Sequence, residues 1–209
     1  MSRPFRSNRP LQLLSAWLLV LWVVTAIGPL YPRDWFLENI LVIVWVVLLA
    51  ATYRRFQFSN FSYALFVIFL SMHLVGAHYT YTETPFGFWM QDWFGFERNH
   101  YDRLVHFAFG LLIACPFREL LMRRSGIKAT WSYSLTVAIV LSFSSLYEVI
   151  EGMVAMIVSP DLGSAYLGTQ GDEWDAQKDA FLAFAGSVIA MALVWLRINA
   201  VKLLDLLGG

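Results

Sequence analysis

Apolar runs of about 20 residues recur along this chain, and no other feature constrains its fold as strongly, because a run of that length crosses a bilayer as a helix. Six are readable: Leu11–Leu30, Phe36–Tyr53, Phe61–Tyr81, Tyr101–Met122, Thr130–Val158 and Asp179–Val201. They are too long for the strands of a membrane barrel, and lipid cannot satisfy free backbone groups, so each is expected to be helical. The expected fold is all-α: a polytopic membrane helical bundle of about six transmembrane helices, read as a single transmembrane domain over residues 1–209. Composition agrees, since 58% of the residues are hydrophobic and only 14% charged, against about 25% charged in soluble domains. Lys+Arg and Asp+Glu are both 15, which excludes the basic footprint of a nucleic-acid binder. One cysteine, Cys115, excludes a disulfide scaffold. The implied partner is the lipid bilayer, and no nucleic acid.

The basic residues predict an orientation. Arg3, Arg6, Arg9, Arg54, Arg55, Arg118, Arg123, Arg124, Lys128, Arg197 and Lys202 fall at one set of span ends, 11 of the 15. Only Arg33, Arg98, Arg103 and Lys178 fall at the other. By the positive-inside rule both termini are expected in the cytoplasm, with the chain multi-pass in a bacterial inner (plasma) membrane. Tyr31, Trp35, Trp89, Trp93, Tyr101 and Trp174 would mark the outer interface. Val24-Thr25-Ala26 loosely fits a signal-peptide cleavage site, but Trp17 and Trp22 are bulky, so the first run is expected to be retained. The longest connections, 82–100 and 159–178, are then both external. The first carries Phe86, Phe88, Trp89, Trp93, Phe94 and Phe96, and is expected to lie in the interface or to re-enter as a lid.

Ionisable groups inside spans are costly and mark candidate sites. All four histidines fall in the outer half of the bundle, with carboxylates around them. Asp102 and His106 share a helix face at i and i+4. Ser144, Glu148 and Glu151 share another, as do Asp172, Asp175 and Asp179. Two carboxyls one turn apart, as in Glu148 and Glu151, desolvate and repel each other unless a cation, a proton or an arginine such as Arg103 intervenes. Glu148, Glu151, His106 and Asp102 are therefore the candidate acid–base residues. His73, His106, Glu148, Asp175 and Asp179 are the candidate ligands of a divalent metal ion. Plainer roles exist: Asp172 and Asp175 can cap the last span, Arg103 can pair with Asp102, and Ala183/Ser187 and Gly186/Ala190 are small-residue contacts between helices. Three functions stay open: an envelope enzyme with an outward polar site acting on an envelope or lipid substrate, a structural or partner-binding membrane protein, and a proton- or cation-coupled transporter.

The segments Asn99-His100-Tyr101-Asp102-Arg103-Leu104-Val105-His106-Phe107 and Tyr166-Leu167-Gly168-Thr169-Gln170-Gly171-Asp172-Glu173-Trp174-Asp175-Ala176-Gln177-Lys178-Asp179 resemble the YjdF family of bacterial inner-membrane proteins, and the resemblance covers essentially the whole chain. It implies location and architecture, and no substrate. A weaker similarity is to the VanZ-like family, through Asp102-Arg103-Leu104-Val105-His106, Glu148, Asp179 and Gly186. Ala183 stands where that family has Asn, and Glu151 where glutamine is common. VanZ-like proteins are linked to glycopeptide resistance at the cell surface, so this similarity implies chemistry at the outer leaflet or cell wall.

Overall fold

A computed structural model describes residues 4–207; Arg3, counted among the basic residues above, lies outside the described residues. Eight α-helices are described: α1 (Arg9–Thr25), α2 (Pro32–Thr52), α3 (Asn60–Tyr79), α4 (Pro85–Phe94), α5 (Tyr101–Arg124), α6 (Ala129–Ile157), α7 (Pro160–Leu167) and α8 (Asp175–Leu207). Among the described residues there is no strand. Five helices, α2, α3, α5, α6 and α8, are long and apolar enough to cross a membrane. The sixth, α1, has 17 residues, about 25 Å at 1.5 Å per residue, a little short of a hydrocarbon layer about 30 Å thick.

The helix ends follow local chemistry and shift four of the expected boundaries by four residues or more, among them both ends of α8, which runs Asp175–Leu207 against an expected Asp179–Val201. The first apolar run reaches Leu30, but α1 stops at Thr25 and the chain turns through Gly28, whose φ is +61°. The second helix starts earlier than its apolar run, at Pro32, because proline is preorganised for the first helical turn and loses no needed N–H there. That early start places Asp34 and Glu38 on α2, both buried. At the end of α3, Thr80 and Tyr81 both adopt left-handed φ, 55° and 51°. The reversal folds the Tyr81 ring back onto Gly76, where a Cβ would stand 2.7 Å from the ring.

The bundle is built on α5. Its closest partner is α8, and the two backbones touch: a Cβ on Gly110 would lie 1.9 Å from the Ala183 carbonyl oxygen, and one on Gly186 would lie 2.3 Å from that of Phe107. Ala183, Ser187 and Ala190 are buried along the same seam. In lipid there is no hydrophobic gain between helices, so small residues that permit close backbone approach hold such pairs together. The third helix packs on α5 and α1, α6 on α8, α5 and α7, and α2 on α3 and α7. Leu70, Leu74, Ile113, Val140 and Val42 fill the centre, whereas Val20, Val47, Leu146, Met156 and Leu193 stay exposed on the perimeter, as lipid-facing positions do. The short helices α4 and α7 cap one end of the bundle. On α4, Phe86, Phe88, Trp89, Trp93 and Phe94 are exposed, the pattern of a helix lying in a membrane interface.

Candidate functional site

At the end of the bundle where α4 and α7 lie, three helices bring ionisable groups to one point. On α5, Asp102 and His106 stand one turn apart on the same face; α6 presents Ser144 and Glu148, and α8 presents Asp179. His106 Nε2 lies 3.2 Å from Glu148 Oε1 and 3.5 Å from Asp102 Oδ1, and its Nδ1 is 3.4 Å from Ser144 Oγ. One ligand atom each from Asp102, His106 and Asp179 fall within 4.8 Å of one another. Asp179 is 1% exposed. Its Oδ1 has no hydrogen-bond partner, and neither has Glu148 Oε1, whose approach to His106 has ion-pair distance but not hydrogen-bond alignment. Buried polar atoms without partners are costly, and each one in a native structure calls for an explanation.

A second polar group lies beside the first, on α2, α3 and α6. His73 is held at both ring nitrogens: Nε2 is 2.9 Å from the Glu38 carbonyl oxygen, and Nδ1 meets the Tyr81 hydroxyl at 2.5 Å. A carbonyl only accepts, so Nε2 carries the proton and Nδ1 accepts from Tyr81. Tyr147 donates to Glu38 Oε2 at 3.0 Å, and Thr80 donates to Asp34. A cavity of about 500 Å³ runs from these groups and from Asp102, His106 and Glu151 down between α2 and α6.

The rim is an interlocked pair of loops. Arg98 reaches Asp175 at 2.7 Å and the Thr169 carbonyl at 2.7 Å. Arg103 bonds Asp172 and, at 3.2 Å, Asp175. The Gln170 side chain pairs with the Asn99 backbone in both directions, accepting at 3.1 Å and donating at 2.9 Å. Asn99 also bonds the Thr84 carbonyl and accepts from the Tyr101 N–H that opens α5. Thus the two sequence segments singled out above meet in space and fix the entry of α5 against that of α8. Burial, then Arg103 and Arg98, holds His100 below the ordinary imidazole range. Hydrogen bonds from Lys178 first, then from the Trp174 backbone and Arg103, hold Asp172 down to about 2, from an ordinary value of 3.8. A depressed carboxyl contributes stability that is complete above its unfolded value and is lost as pH falls through the folded one. Pepsin cleavage within residues 168–175 should therefore stay slow at pH 4 and rise only as pH approaches 2. In Lys178→Ala the rise should come at higher pH.

The structure brings together four of the expected residues, Asp102, His106, Glu148 and Asp179. Asp175 is instead matched by Arg98 and Arg103, and His73 has both nitrogens engaged in the second group. Glu151 diverges from Glu148 and lines the cavity. Arg103 bonds Asp172 and Asp175, not the two glutamates. Sequence reasoning missed Asp34, Glu38, Tyr81, Tyr147, Tyr166, Arg98 and Gln170. The available signal was the i, i+4 pair Asp34 and Glu38 right after Pro32, which reads as helix once proline is taken as its first turn.

A family model described as "Predicted membrane protein (DUF2238)" matches residues 10–200. The inner membrane protein YjdF of Escherichia coli (strain K12) is 37% identical over 172 residues, covering 82% of each chain. No solved structure matches. With five membrane-length apolar helices, the chain is a multi-pass membrane protein, and it belongs to the DUF2238 family of predicted membrane proteins, to which it is tied along nearly its whole length.

Proposed function

We propose that this is an inner-membrane protein of six spans, α1 included, with both termini in the cytoplasm and a periplasm-facing centre in which Asp102, His106 and Asp179 hold a divalent metal ion. The observation that carries this reading is the convergence of three ligand atoms within 4.8 Å, with Asp179 Oδ1 and Glu148 Oε1 buried beside them and unpartnered. One nitrogen and two carboxylate oxygens form a donor set suited to zinc and similar ions that keep a coordination position open. Such an ion would activate a water or polarise a phosphoryl or carbonyl oxygen. Glu148, at 3.2 Å from His106, is placed to take and return the proton. Ser144 orients His106 through Nδ1, the supporting role that metal-bound histidines commonly require. The Arg98–Arg103–Asp172–Asp175 network positions α5 against α8, and α7 brings Tyr166 to the cavity beside the centre. The function is then acid–base or metal-assisted chemistry on an envelope or lipid substrate.

Elemental analysis of the detergent-purified protein tests the metal. About one divalent ion per chain is expected in the wild type and a small fraction of that in His106→Ala; equal metal in both proteins would remove His106 from the set. Orientation is tested separately. Reporters fused in the α5–α6 connection at Gly126 and after Lys202 should be active as cytoplasmic reporters, and one inserted at Gly171 as a periplasmic one. The opposite pattern would move the centre to the cytosolic face.

A further inference from the structure

The cavity between α2 and α6 has a division of chemistry along its length. Its upper end presents Glu38, Asp102, Glu151, Tyr81, Tyr147 and Tyr166. Its lower end presents only Leu41, Val44, Trp45, Leu48, Phe117 and Phe143. Among the described residues, α2 packs on α3 and α7 but has no comparable packing against α6, so the cavity is not closed at the side. The edge residues show this directly: Val44 is 49% exposed and Leu48 53%, yet both line the cavity. Those same positions belong to the lipid-facing surfaces of their helices. Above, α7 supplies Tyr166 as a roof.

We infer that this space is a binding slot for the hydrocarbon chain of a bilayer amphiphile, entered sideways from lipid between α2 and α6, with a head that carries hydroxyl or amine groups in place of a phosphate or carboxylate. The inference rests on the reading of the adjacent centre as the functional site. The occupant follows from the surroundings. The slot opens to acyl chains, its lower walls are apolar apart from the Trp45 indole N–H, and about 500 Å³ is within the range of small-molecule sites. The head follows from the lining. Three carboxyls, three phenols and the imidazoles of His73 and His106 face it, with His73 already engaged at both nitrogens, and no lysine or arginine does. Arg98 and Arg103, at the rim, are bound to Asp172 and Asp175. Carboxyls and phenols hydrogen-bond hydroxyls and amines well, and the lining offers no lysine or arginine to neutralise an anionic head.

The full chain in lipid nanodiscs is photolabelled with hexadecan-1-ol bearing a mid-chain diazirine, and the labelled peptides are mapped. Label should concentrate on residues 40–48 and 143–154. Unlabelled hexadecan-1-ol and hexadecylamine should compete about tenfold better than hexadecyl phosphate. Val44→Trp, which fills the slot from its edge, should cut labelling about tenfold, the scale of a blocked site. Leu48→Trp provides a second slot-filling variant at another exposed position. Ile43→Trp, exposed on α2 but outside the lining, should leave labelling unchanged. Label spread evenly over the outer faces of α1, α2 and α8 and indifferent to Val44→Trp and Leu48→Trp would overturn the slot. Best competition by the phosphate would overturn the head-group assignment. The labelling requires no metal, so failure of metal binding in the adjacent centre would leave this result standing, and loss of labelling would leave the metal result standing.

Discussion

Leucine in place of Gly110 is expected to leave almost no folded protein in the membrane. A Cβ at that position would lie 1.9 Å from the Ala183 carbonyl oxygen and 2.9 Å from the Ser187 backbone nitrogen. Backbone atoms of a packed helix cannot swing aside as a side chain can. The whole α5–α8 seam must open, and with it the largest interface of the bundle. Overpacking alone costs about 1–3 kcal/mol, and more when backbones are displaced, against a total stability of about 5–15 kcal/mol. Gly186→Leu should behave alike, since its Cβ would meet the Phe107 carbonyl oxygen at 2.3 Å. Gly152→Ala on α6 is the matched control: nothing lies within 4 Å of its added carbon, and folding should be unaffected. Size-exclusion profiles and thermal melts of the three variants in one detergent make the comparison. A Gly110→Leu protein that elutes and melts like wild type would show that the α5–α8 seam is not what holds the centre together.

Much of this architecture was legible in the sequence, because lipid permits so few solutions. A run such as Thr130–Val158 has one viable backbone structure in hydrocarbon, and the observed helix, Ala129–Ile157, differs from it by one residue at each end. Small-residue spacing likewise pointed to the face of α8 that meets α5. The convergence of Asp102, His106, Glu148 and Asp179 was legible as a matter of depth: helices that cross one layer bring residues of equal depth level with one another. What depth does not reveal is azimuth. Glu148 and Glu151 are one turn apart and act on each other, but Glu148 meets His106 while Glu151 lines the cavity. His73 looked like a ligand because the partners that engage it, Tyr81 and the Glu38 carbonyl, depend on a left-handed reversal at Thr80 and Tyr81 that no periodicity signals. Glu38 itself was overlooked because an acidic residue near the start of an apolar run reads as interfacial. The turn at Gly28 and the helix start at Pro32 bring it inside.

If the His106 centre is kept for chemistry and not for packing, fold and function respond in opposite directions to one substitution. Asp179→Asn preserves shape and hydrogen-bonding capacity but removes an anionic ligand. Asp179 is buried, with Oδ1 unpartnered, and exchanging such a group for a neutral one is neutral or stabilising. Losing a metal ligand, by contrast, should weaken binding by about 100-fold or more, since even supporting residues are worth about 10–100-fold. The most direct measurement is a Zn2+ titration and a thermal melt on the same purified preparations of wild type and Asp179→Asn. Zinc affinity is expected to fall about 100-fold in the variant, with a metal-free melting temperature equal to or above that of wild type. A variant that melts well below wild type while binding zinc as tightly, or a wild type that binds none, would contradict this and make the centre a packing device.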